Sequence, residues 1–200
     1  MGEKEAASLL ELALQVGITA YDTAPHYGMG LSEQRMSAFA SRMPRIYTKV
    51  GRIVLPYEEC KSSPFLDSQN IPGVNSVFSE TKDFACVWDF SREGVLRSFE
   101  QSCQRLTSSS IYGLRVHDCE SEEHLSQLLD PGLGGIWLLR EWRQSGKIKV
   151  SLRIAILRYV MSSLGSESRY ERPSLRHENN STVSTKHLRL SFDSGLLEPH

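Results

Sequence analysis

Four residues of this chain have types and placement suited to joint proton-transfer chemistry: Asp22, Tyr27, Lys49 and His117. Asp22, Lys49 and His117 each stand where a short apolar run ends. Tyr27 lies in the same stretch as Asp22, ITAYDTAPHYGMGLSE, residues 18–33. A phenol with an ordinary pKa near ~10 is a poor acid–base catalyst at neutral pH. A neighbouring ammonium stabilises the phenolate, a carboxylate can hold that ammonium, and a histidine can hydrogen-bond a substrate oxygen. Such a set suits moving a proton to or from an oxygen while a hydride moves elsewhere. No side chain donates hydride, so the chemistry calls for a nicotinamide cofactor.

Each residue also has an ordinary reading. Asp22 alone could be a turn carboxylate, Tyr27 a rim aromatic, Lys49 a solvated strand-end lysine, and His117 one half of a surface pair with Asp118. His26 reads as a loop residue. Gly28 and Gly30 supply backbone freedom, and their G-x-G lacks the third glycine of a dinucleotide fingerprint. No His/Cys cluster has the spacing of metal ligands.

The elements that must position these residues alternate. Helical spacing of Ala6, Leu9, Leu10, Ala13 and Leu14 predicts a helix over 4–16, ended by Gly17. Strands are expected at Ile18–Tyr21, Ile46–Val50 and Ile111–Val116, with a fourth beginning in Lys147–Ser151. Ser32 is the expected N-cap of a second helix, with Glu33 in its first turn and Met36, Phe39 and Ala40 as its apolar face. Ser91 and Ser121 open further helices, the first with Leu96, Phe99, Cys103 and Leu106 as its stripe, the second with Leu125, Leu128 and Leu129. Another helical run spans Ile136–Arg143. Residues 52–88, with Pro56, Pro64 and Pro72, read as a long irregular loop, and this loop and Trp88 either cover substrate or merely connect elements. Alternating strands and helices predict an α/β fold with a parallel sheet, whose active site is built at the carboxyl ends of the strands if the sheet closes into a barrel. The 27 residues from Asp22 to Lys49 fit one loop–helix–strand step.

Composition bounds the function class. The chain has 200 residues, 40% hydrophobic, with a formal net charge of −1. That charge gives no basic surface for nucleic acid and no polybasic membrane patch. No apolar run approaches the ~20 residues of a membrane span. MGEKEAASLL has no signal-peptide core, and Ala6 breaks a myristoylation pattern. Cys60, Cys86, Cys103 and Cys119 are widely spaced, as reduced thiols of a cytoplasmic protein would be. One domain over 1–164 is expected, followed by a polar tail over 165–200 with no packed core of its own.

Four motifs carry a resemblance: DTAPHYGMGLSE, the TKVG around Lys49, DFSREGVLRSFEQSCQRL over 89–106, and the VHD at 116–118. Together they resemble the aldo-keto reductase superfamily, most of all its sugar-oxidising branch of aldose, fucose and galactose dehydrogenases, over roughly residues 5–150. The resemblance implies a (β/α)8 barrel and hydride transfer between NAD or NADP and an aldose or a small aldehyde or ketone. It implies Tyr27 as proton donor or acceptor, Lys49 as its helper, Asp22 as the support of Lys49 and a contact to the cofactor, and His117 as the group orienting the substrate oxygen. The chain enters the family pattern at the helix before the second barrel strand and leaves it after about residue 150, as a truncated or frame-shifted product would. A second reading is therefore an inert relative that acts only by binding a partner.

Overall fold

A computed structural model describes residues 2–43, 45–75, 83–106 and 111–150. The first helix, α1 (Glu3–Gln15), buries Ala6, Leu10 and Ala13 on one stripe, the spacing of a helix with a single apolar face. It ends in a Schellman turn. Ile18 N donates to Ala13 O at 2.9 Å and Gly17 N to Leu14 O at 3.1 Å, with Gly17 at φ 80. That exit uses Ile18, so the strand expected at Ile18–Tyr21 is instead β1 (Tyr21–Asp22).

The second helix, α2 (Leu31–Ser37), starts two residues earlier than expected. Its N-cap is Gly30 at φ 90, not Ser32, and Ser32 lies buried inside the first turn, where its Oγ is 2.9 Å from Thr23 Oγ1. A 3-10 turn over Ala40–Arg42 leads into β2 (Ile46–Val50).

The two ends of the 52–88 stretch are not the irregular loop that its prolines suggest. Here β3 (Arg52–Pro56) and β4 (Phe84–Trp88) pair antiparallel, Arg52 opposite Trp88, with the short helix α3 (Tyr57–Cys60) after β3. At the centres of these strands Ile53, Val54, Ala85, Cys86 and Val87 are buried on both faces, so they show no polar–apolar alternation. Ile53, Ala85 and Val87 pack with Cys60, while Val54 and Cys86 pack with Met29. Gln101 holds the hairpin against its neighbouring helix: Val54 N donates to Gln101 Oε1 at 3.1 Å and Gln101 Nε2 donates to Val54 O at 3.0 Å. On the other side, Asp67 N donates to Cys86 O at 2.9 Å and Trp88 N to Phe65 O at 2.8 Å.

Gly51 alone links β2 to β3. Its φ is 103, and a Cβ there would stand 2.2 Å from the Phe90 ring, so no other residue fits.

The remaining elements match the alternation. They are α4 (Arg92–Leu106), β5 (Ile111–Val116), α5 (Glu122–Leu129), α6 (Gly135–Gln144) and β6 (Lys149–Val150). Ser91 Oγ accepts from Gly94 N at 3.1 Å and Ser121 Oγ from His124 N at 3.1 Å, each closing the start of its helix. Leu96 departs from its expected role: it is exposed, and Val95 turns inward in its place.

Strands β1, β2, β5 and β6 form one parallel sheet in that order. Sequential order without reversal, with helices between the strands, is the arrangement of a (β/α) barrel wall rather than of a doubly wound sheet. Leu10, Met36, Ile46, Val50, Phe99, Leu106, Leu114 and Leu139 form the core between sheet and helices. Phe90, Cys119, Leu125, Leu128 and Ile136 make a second cluster under α5. The expected tail, and Ser151 of the expected fourth strand, lie outside the described residues.

Candidate active site

The parallel strands bring their carboxyl ends together. Asp22 is the last residue of β1, Lys49 the next to last of β2, and His117 the first after β5, tied to the sheet by its N–H donating to Val50 O at 3.0 Å. Tyr27 sits in the loop between β1 and α2. That loop is wound tightly, with Gly28, Met29 and Gly30 all at positive φ and Ser32 N donating to Tyr27 O at 3.1 Å.

Lys49 is the hub. Its ammonium carries three protons, and Nζ has three acceptors: Asp22 Oδ2 at 2.8 Å, Thr23 O at 2.9 Å and Tyr27 Oη at 3.1 Å. Lys49 is 4% exposed, Asp22 is buried and Tyr27 half-buried. A buried ammonium needs such partners to offset its lost hydration. The same Nζ lies 4.4 Å from the centre of the Tyr27 ring.

Arg115 also reaches this carboxylate. It pairs in register with Lys49 across β2 and β5, and its Nη1 bonds Asp22 Oδ1. Asp22 thus bridges two cations, one on each oxygen. The residue-by-residue reading missed Arg115, although a lone cation inside the apolar strand IYGLRV, in line with Lys49, was the available signal.

His117 completes the group. It is buried, and its ring stands edge-on to Tyr27 with centroids 6.0 Å apart. The structure brings all four singled-out residues to one rim, with His117 meeting Tyr27 ring to ring rather than through Lys49. His26, read from sequence as a loop residue, faces the same place: its ring is 5.8 Å from that of His117. Asn70 Nδ2 lies 3.3 Å from His26 Nε2, within hydrogen-bond reach. Burial first, then the charges of Arg52 and Lys49, hold the His26 imidazole neutral, pushing its pKa down to about 3.

Beneath the rim, Glu33 locks the scaffold. It is fully buried, and it accepts from Thr48 Oγ1 at 2.6 Å and from Arg105 Nε at 2.6 Å. This ties α2, β2 and α4 together one residue before Lys49. Arg105 passes so close over Gly30 that a Cβ there would meet its Cδ at 2.5 Å.

A family model described as the aldo/keto reductase family matches residues 1–151. The chain belongs to that family. Among individual aldo/keto reductases and dehydrogenases, it is 39% identical over 127 residues to a D-threo-aldose 1-dehydrogenase of a Pseudomonas species, a match covering 62% of this chain and 36% of that protein. It is 34% identical over 154 residues to a pyridoxal 4-dehydrogenase of Microbacterium luteolum, covering 72% of this chain and 44% of that protein. In structure it resembles an aldo-keto reductase of Bacillus halodurans in its holo form, with a TM-score of 0.53 and 22% identity over 80% of this chain and 46% of that one. This last likeness concerns the fold, and it makes the parallel sheet part of a (β/α)8 barrel. The chain spans less than half the length of each of these aldo/keto reductase relatives.

Among the described residues, no helix is long and apolar enough to cross a membrane.

Proposed function

We propose that the chain carries the proton-transfer half of an NAD(P)-dependent oxidoreductase site, acting on an aldose or a small aldehyde or ketone. Family membership and dehydrogenase relatives support the reaction class. The observation that carries the reading is the Lys49 ammonium, whose three hydrogen bonds join Asp22, the Thr23 carbonyl and the Tyr27 hydroxyl in one buried cluster.

The donor set suits a nicotinamide reaction. Hydride transfer to a carbonyl needs a proton delivered to its oxygen, and a half-buried phenol beside an ammonium and an imidazole meets that need. As the family resemblance implies, Asp22 would also contact the cofactor, from the rim where it meets Lys49 and Arg115. The nicotinamide, of NAD or NADP, supplies or takes the hydride when bound.

In this reading Tyr27 gives its hydroxyl proton to the carbonyl oxygen during reduction, or takes the proton of the alcohol during oxidation. Lys49 stabilises the phenolate at Tyr27 Oη, and Asp22 and the Thr23 carbonyl keep Nζ aimed at it. His117, edge-on to the Tyr27 ring, would hydrogen-bond the same substrate oxygen and orient it.

The test follows NAD(P)H absorbance with a panel of aldoses, aldehydes and ketones for the chain and for Tyr27→Phe. Turnover that falls by about a hundredfold or more in Tyr27→Phe supports the assignment. Equal turnover in both proteins refutes the role of Tyr27, and no turnover with any compound refutes the enzyme reading.

A further inference from the structure

The hairpin and the loop after β5 meet at one buried guanidinium. Arg52 is 4% exposed, and its guanidinium carbon stacks 3.9 Å from the centre of the Trp88 ring. Its Nη2 lies 3.5 Å from Asp67 Oδ2 and 3.2 Å from Asp118 Oδ2.

Each of these aspartates also addresses a histidine. Asp67 Oδ2 is 3.9 Å from His26 Nδ1, and Asp118 Oδ2 is 3.5 Å from His117 Nε2. The two imidazoles in turn face one another edge-on. One cation therefore stands behind two carboxylates, and the carboxylates stand behind the two histidines that border Tyr27.

The two aspartates are held on different terms. Asp67 is 1% exposed, and a carboxylate that deep requires a cation. The side chain of Asp118 is 59% exposed, so desolvation does not drive it onto Arg52. It nevertheless holds φ 43, the left-handed region that Asp and Asn enter more readily than other residues with side chains, and this turns its carboxylate toward Arg52 and His117. A single guanidinium nitrogen, Nη2, faces both carboxylates, while the plane of the group stacks on Trp88.

We propose that Arg52 is a positioning residue that fixes the orientation and charge of His117 through Asp118, and of His26 through Asp67. Its catalytic consequence rests on the oxidoreductase reading above, whereas the coupling itself does not. Removing Asp118 takes a carboxylate from beside His117. Removing Arg52 leaves both carboxylates to the imidazoles. Other charged and titratable groups around the pair are Tyr27 in the loop after β1, Asp22 at the end of β1, Lys49 on β2, Arg115 on β5 and His124 on α5, which also feels the charges of Arg52 and Asp67. These are unchanged in the variants.

The experiment is an NMR titration of the His26 and His117 imidazoles in the full chain and in Asp118→Asn and Arg52→Met. In Asp118→Asn the His117 midpoint is expected to fall by about half a pH unit or more while that of His26 stays in place. In Arg52→Met both midpoints rise together. An unchanged His117 midpoint in Asp118→Asn overturns the proposal, as does a response of only one histidine in Arg52→Met. Asp118 is exposed, so Asp118→Asn keeps the test decisive if Arg52→Met fails to fold. The titration needs no substrate: coupled histidines without NAD(P)H turnover would remove the oxidoreductase reading and leave this one standing.

Discussion

Lys49 and Arg115 stand opposite one another in adjacent parallel strands and grip the two oxygens of a single carboxylate, that of Asp22. The two grips differ in depth. The side chain of Lys49 is 5% exposed and that of Arg115 is 32% exposed. Loss of the deeper one leaves a buried carboxylate with a partner that water already screens.

Lys49→Met is accordingly expected to cost about 3 kcal/mol of stability, in the range for breaking a buried ion pair. Arg115→Met is expected to cost about 1 kcal/mol, closer to the worth of a screened pair. Urea unfolding of both variants checks the order. An Arg115→Met midpoint below that of Lys49→Met contradicts it.

Glu33 has no route to water and two donors at hydrogen-bond distance. In Glu33→Gln the Arg105 guanidinium keeps a neutral partner in place of a carboxylate, with an expected loss of about 2–4 kcal/mol. Thr48→Val removes only a hydroxyl donor and is expected to cost about 1 kcal/mol. Denaturant midpoints for the pair give the comparison, and equal losses would mean that the charge of Glu33 contributes nothing.

His26 makes stability depend on acid. An ordinary imidazole binds its proton near pH 6.5, and burial pushes that of His26 down to about 3 in the folded chain. Between those values the unfolded chain holds a proton that the folded chain does not, so stability falls as pH drops through that window and is flat above it. The loss at the acid end is on the order of a few kcal/mol. Urea midpoints at pH 4.5 and pH 7.5 should differ less in His26→Asn than in the parent.

Gly51→Ala confronts two obstacles, a φ of 103 and the Phe90 ring at 2.2 Å. A loss of about 2 kcal/mol or more is expected. A thermal melt within a degree or two of the parent would show that the link between β2 and β3 yields more readily than its geometry implies.

The parts of the fold that read directly from sequence are those bounded by local signals. Strands Ile46–Val50 and Ile111–Val116 are short apolar runs in clear flanks, and Ser91 and Ser121 cap their helices as their residue types suggest. The hairpin was hidden because Ile53–Leu55 is hemmed in by Arg52 and Pro56, and its partner strand lies about thirty residues away. Tertiary contacts also displaced Ser32 from its expected cap position, since its hydroxyl pairs with Thr23 inside the site. The family resemblance named Asp22, Tyr27, Lys49 and His117, which meet at one rim. It had nothing to say about Arg115 or Arg52, because their meaning depends on which strands lie side by side.

The clasp that Gln101 makes on Val54 has a bearing on how the molecule behaves among its own copies. A bare strand edge is an invitation to another chain, since its N–H and C=O groups pair with any extended backbone that arrives. One carboxamide of α4 already answers both groups of Val54, so this edge of the hairpin is closed to recruitment at its centre. Exchanging that carboxamide for an alkyl group would leave the N–H and C=O of Val54 facing an apolar stem of α4 without a partner.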